Sequence, residues 1–165
     1  MSKSTEWTTP RDSCAAAAAY RERLGWPAFV QNSMVWMAPG VVADALNVPA
    51  QIGMRAVDHL NRINVDLPVI HIPGPPDRLA LLARPQYGPP GTVIDLFVGH
   101  EIGYAHGGYN QGQTSQWGID LPPTRHPGCP PLTWLKPPTL PLPELRLVAN
   151  TVLTVLTPPP DGPRP

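Results

Sequence analysis

Apolar residues in this chain fall into short blocks separated by proline- and glycine-rich joints, and the spacing inside each block predicts an element. Thr9-Pro10-Arg11-Asp12 reads as a helix start, with Thr9 as N-cap, Pro10 at the first helical position and Asp12 three residues after the cap. The alanine run that follows carries the helix to Leu24, where Gly25 and Pro27 stop it. Residues 28–30 and 34–37 predict two short strands of a hairpin, with Gln31-Asn32-Ser33 between them. A second helix begins near Pro49, because Ile52, Ala56, Leu60 and Ile63 recur at steps of three and four. Residues 67–72 and 79–83 predict a strand pair around Pro73-Gly74-Pro75-Pro76, and the β-branched run 92–98 predicts another strand. From 99 to 118 the chain turns to Gly, Gln, Asn and Tyr and reads as a long loop or hairpin excursion. A last helix, 143–156, places Leu145, Val148, Ala149, Val152 and Leu156 on one face.

Strands interrupted by amphipathic helices through hairpin-length links predict an α+β fold: one mostly antiparallel sheet with two to three helices packed against it. The expected organisation is a flexible N-terminus over 1–8, a single domain over 9–156 and a Pro-rich disordered tail over 157–165. The 25 prolines and 14 glycines approach low-complexity usage, but 42% hydrophobic residues in periodic blocks argue for a folded body with Pro-rich joints.

Lys plus Arg and Asp plus Glu number 12 each, so no whole-chain field attracts nucleic acid, which counts against a freestanding DNA binder. Cys14 and Cys129 form no CxxC and give no sign of a zinc site or a disulfide framework. No apolar run approaches the ~18 residues of a membrane span and no apolar signal region opens the chain, so no membrane association and a cytoplasmic location are expected. Phosphate-loop, GxSxG and Rossmann fingerprints are absent.

The segment Leu121-Pro122-Pro123-Thr124-Arg125-His126-Pro127-Gly128, followed by Trp134-Leu135, carries most of the candidate chemistry. Proline rings fix φ and remove donors, so a hydroxyl, a guanidinium and an imidazole project from backbone that cannot relax away from a ligand. On residue types alone the same segment reads more readily as a surface turn between two strands. Residues 15–29, AAAAAYRERLGWPAF, form a second informative segment. In order and spacing the two segments resemble the opening and closing motifs of the bifunctional DNA primase/polymerase N-terminal domain, a branch of the archaeo-eukaryotic primase superfamily. They frame residues 14 to 135.

That resemblance implies a core similar to an RNA-recognition-type sheet, and metal-dependent nucleotidyl transfer connected with DNA replication. Such transfer uses closely placed carboxylates to hold Mg²⁺ or Mn²⁺. The family's acid-x-acid motif is best matched by Val41-Val42-Ala43-Asp44-Ala45-Leu46, which puts Asp44 at the first acidic position and Leu46, which binds no metal, at the second. Its phosphate-contacting histidine is replaced by Arg78, whose planar fork of donors also suits phosphate. Its third motif matches Thr92-Val93-Ile94-Asp95-Leu96, making Asp95 the other catalytic and metal-binding candidate, although a lone Asp in an alternating strand commonly faces solvent. Thr124, Arg125 and His126 would join Arg78 on the phosphates of a nucleotide or of single-stranded DNA. With one acid and the histidine missing, the resemblance implies a degenerate, inactive copy, with a replication-type protein as a further partner. The alternative from another class is a non-enzymatic interaction or regulatory protein that retains the fold.

Other residues suggest less. His100, Glu101 and His106 cluster as zinc ligands would, but at no established spacing. His59 and His71 are expected to be structural, each held by a backbone partner. Trp26 and Trp36 read as core residues, which leaves Trp117 as the one candidate for stacking on a base.

Overall fold

The computed structural model describes residues 7–86, 100–105 and 118–157. The first helix, α1 (Ser13–Leu24), begins later than its proline suggests. Asp12 is the N-cap: its carboxylate accepts from the Ala15 N–H at 2.8 Å and its carbonyl from the Ala16 N–H at 2.9 Å. The Thr9 hydroxyl instead accepts from Trp7 Nε1 at 2.9 Å, so Thr9 is no longer available as a cap. The helix ends as expected at Gly25, where a φ of 67° lets the Gly25 and Trp26 N–H groups turn back onto the carbonyls of Arg21 and Tyr20.

Strands β1 (Phe29–Gln31) and β2 (Met34–Met37) form the anticipated hairpin. Asn32 and Ser33, at φ 52° and 62°, make its two-residue turn, the positive-φ pair that matches strand twist. The antiparallel pairing of β2 with β7 (Ile119–Leu121) completes a three-stranded sheet.

A larger sheet has the order β6-β3-β5-β4-β8, with every neighbouring pair antiparallel. Its strands are β3 (Asp44–Pro49), β4 (Val69–Ile72), β5 (Arg78–Ala83), β6 (Gly103–Ala105) and β8 (Thr133–Lys136). Since β3 and β4 both flank β5, they run parallel to one another, and α2 (Ala50–Arg62) connects them as a split β-α-β unit. The chain is thus an α+β protein with three helices and two antiparallel sheets.

Strand alternation gives the larger sheet two covered faces. Leu46 and Val48 of β3 and Leu79, Leu81 and Ala83 of β5 turn toward α2 and α3 (Leu145–Leu156), meeting Ala56, Leu60, Val148 and Val152. Ala45, Ala80 and Leu82 turn the other way, toward α1 and the three-stranded sheet, and meet Tyr20, Trp26, Val35, Met37 and Leu121. Each large aliphatic side chain so buried contributes about 1.5–3 kcal/mol, enough for either layer to depend on the sheet between them.

Three expectations shift. Ile63, placed on the apolar stripe of the second helix, is its C-cap and is exposed; Gly53 and Val57 occupy the buried face instead. A Cβ on Gly53 would lie 2.7 Å from Leu79 Cδ1 and 2.9 Å from Val48 Cγ2, so close packing on the sheet, which apolar spacing does not register, selects the residue. On α3, Val155 is buried where Leu156 was expected and Leu156 is half-buried. Within the presumed loop 99–118, Gly103–Ala105 pairs with β3, an edge position too short to show a period. The expected strand at 92–98, with Asp95, lies outside the described residues, as do Trp117, His106, residues 1–6 and the tail from 158. No helix among the described residues is long and apolar enough to cross a membrane.

Candidate interlayer cleft

The Pro-Pro turn is built by a substitution in the β-ladder. β7 stops at Leu121, and Pro122 and Pro123 have no N–H with which to continue pairing to β2. The Thr124 hydroxyl takes over: it accepts from the Val35 N–H at 2.7 Å and donates to the Val35 carbonyl at 2.9 Å, fully buried. Behind the turn, Trp134 Nε1 donates to the Tyr20 hydroxyl at 2.9 Å, which donates to the Pro122 carbonyl at 2.8 Å. Burial pushes the Tyr20 phenol well above its ordinary value, so it remains a donor. The Leu132 N–H reaches the Thr124 carbonyl at 2.8 Å and the Cys129 N–H the His126 carbonyl at 3.1 Å, closing the turn on itself.

What this rigid turn presents is His126. Its Nε2 lies 3.2 Å from Asp120 Oδ2, the two side chains being about one-third exposed. Both line a cleft of about 390 Å³ where β7 of the small sheet parts from β3, β5 and β6 of the large one. Asn47 and Arg78 complete the polar part of the wall, and Ile72, Ala80, Ile119 and Leu132 the apolar part.

Arg78 is the cation of this cleft. Its Nε donates to Asn47 Oδ1, and its Nη2 to the carbonyls of Asn47 at 2.9 Å and Glu101 at 2.7 Å. All three acceptors are neutral, so they fix the guanidinium without cancelling its charge, and no carboxylate pairs with it among the described residues. A positioned, uncompensated guanidinium on a partly apolar cleft is an anion receptor. Asp120 is the opposing element: burial raises its carboxyl above the ordinary value, and the His126 imidazole beside it works in the other direction.

The remaining candidates lie elsewhere. Thr124 has its donor and its acceptor engaged by Val35, so it builds the turn from within. Arg125 is exposed beside the cleft and does not line it. Asp44 opens β3 opposite Ala83 and, by alternation with Leu46 and Val48, faces the helix side. It is fully buried there, 3.4 Å from the Tyr104 hydroxyl, and burial together with this carboxylate pushes the Tyr104 phenol far up. Asp44 and Arg78 therefore look out from opposite faces of one sheet.

The histidines separate as well. His71 is held by the Asp77 side chain at 3.1 Å, in place of the backbone partner expected. His59 is exposed on α2, and His100 and Glu101 are both exposed. No group of three His, Cys, Asp or Glu suited to a metal occurs among the described residues. Trp26 is buried and Trp36 half-buried against Phe29.

The charged cleft residue that sequence reasoning missed is Asp120. Asp120 sits between Ile119 and Leu121, a polar residue on a period-two strand, and that alternation is the signal that could have found it. Fold and site together define an α+β domain with a cleft between two sheets, walled in part by Arg78, Asp120 and His126. No protein-family model, curated protein or solved structure matches the chain.

Proposed function

We propose that this chain is a nucleotide-binding domain of primase/polymerase-like descent that has kept a phosphate-receiving cleft and lost nucleotidyl transfer. The observation that carries this reading is the convergence of Arg78 and His126, drawn from two separate motif-like segments, on one cleft. Arg78 receives the phosphate through its guanidinium, His126 adds a second polar contact, and Ile72, Ala80, Ile119 and Leu132 offer apolar walls to a base and sugar. The ligand is a nucleotide, free or as part of a single strand.

The two-metal half of the chemistry does not fit these residues. Leu46 supplies no ligand, and Asp44, fully buried on the helix side, cannot share an ion with a ligand lying against Arg78. No catalytic step is derived for Mg²⁺ or Mn²⁺. The neutral charge of the chain supports the same conclusion, since a processive DNA enzyme usually carries a basic excess.

The test pairs two measurements. Titration calorimetry with deoxynucleotides should show binding without divalent metal, weakened at least about tenfold by Arg78→Ala, consistent with loss of a charge-assisted contact. Primer synthesis and extension on single-stranded DNA with Mg²⁺ and then Mn²⁺ should give no product. Product from the wild type that disappears with Asp44→Ala would overturn the reading.

A further inference from the structure

We propose that the cleft selects a single phosphate, as in a nucleoside monophosphate, and that Asp120 is the residue that excludes longer phosphate chains and nucleic-acid strands. This rests on the nucleotide reading of the cleft and narrows it. Among the described residues only one uncompensated cation lines the cleft, Arg78, and its position is fixed by Asn47 and the Glu101 carbonyl. With Nε and Nη2 engaged, the two N–H donors of Nη1 remain, enough to meet one phosphate.

A second or third phosphate in line would need further cations, and the next charged side chain on the wall is the Asp120 carboxylate. The His126 contact at 3.2 Å holds that carboxylate in place. Like charges confined to a partly apolar cleft repel more strongly than in water. The cleft volume of about 390 Å³ lies at the small end of ligand sites and suits one nucleotide unit. The zero net charge of the chain supplies no field to hold a polyanionic strand against this repulsion.

The experiment is calorimetry on the full chain with dAMP, dADP, dATP and a short oligodeoxythymidine, all in metal-free buffer so that no ion masks the phosphates. The wild type is expected to bind dAMP at least about tenfold more tightly than dATP or the oligonucleotide, as one repulsive contact at this exposure implies. Asp120→Asn, its fold checked by circular dichroism, is expected to close most of that gap.

Equal or tighter binding of dATP by the wild type overturns the single-phosphate inference and leaves the nucleotide reading standing. An unchanged dAMP-to-dATP ratio in Asp120→Asn overturns the role given to Asp120. Absence of binding by every member of the series overturns both readings. The wild-type ranking is informative even if the variant does not fold.

Discussion

Removing one oxygen from Thr124 should unfasten the turn that carries His126. Thr124→Val keeps the shape of a fully buried side chain while deleting both bonds to Val35, at 2.7 and 2.9 Å. Pro122 and Pro123 have no N–H to offer Val35, and the Pro122 carbonyl is already taken by the Tyr20 hydroxyl, so a backbone donor and an acceptor are left unpaired inside the small sheet. Each such group costs about 1–3 kcal/mol, which puts the expected loss at about 3 kcal/mol for the pair. For a domain of this length that is a fall in Tm of about 6–12 °C. Thr124→Ser keeps both bonds and loses one methyl, about 1 kcal/mol. Urea unfolding followed by tryptophan fluorescence, with thermal melts in parallel, measures both variants. If Thr124→Val stays within about 0.5 kcal/mol of the wild type, or if Thr124→Ser falls as far as Thr124→Val, the ladder-substitution argument is wrong.

Tyr20→Phe strips Trp134 Nε1 and the Pro122 carbonyl of their common partner, and urea unfolding should show a loss of about 2–4 kcal/mol. Gly118→Ala would bring a Cβ to 2.4 Å from the Trp36 ring, so a loss of about 1–3 kcal/mol by thermal melting is expected. Gly53→Ala would press its Cβ onto Leu79 Cδ1 at 2.7 Å and the stiff Val48 Cγ2 at 2.9 Å, both buried, so a loss of about 1–3 kcal/mol is expected by thermal melting despite the gain in helix propensity. Asp77 has its carboxyl held below the ordinary 3.8, first by the Gly74 N–H and then by His71. A depressed folded value means stability that is present above pH 3.8 and lost as pH falls through the lower folded value. The Tm difference between wild type and Asp77→Asn should therefore be constant near neutrality and close below pH 3.8.

Where local chemistry decides an element, the sequence was easy to read. Gly25 ended α1, Asn32 made a positive-φ turn cheap, and the apolar run 79–83 marked β5, whereas β3 was not anticipated. Reading failed where a distant partner decides. Thr9 loses its capping role to a contact with Trp7, Gly53 owes its burial to Leu79 across the layer, and β6 exists because β3 has an edge to offer. The site was half legible for the same reason. Arg78 and His126 could be nominated from residue type and turn context, but only the register shows that they share a cleft, and that Asp44 faces away from it.

The Tyr20, Val35 and Trp134 contacts with the turn also set when the cleft can form. They join residues 102, 89 and 114 positions apart, respectively: Tyr20 to Pro122, Val35 to Thr124, and Trp134 to Tyr20. Closing loops of that size costs entropy that only the completed layer returns. The unit of β3, α2, β4 and β5 has its pairing partners within about 40 residues, as its boundaries from Asp44 to Ala83 require. On a growing chain that unit can assemble while the rest is still being made, whereas the wall bearing His126 must wait until Trp134 has emerged. The cleft consequently closes only after the β3-to-β5 unit, and a chain cut short before β8 would own that unit's sheet but no cleft.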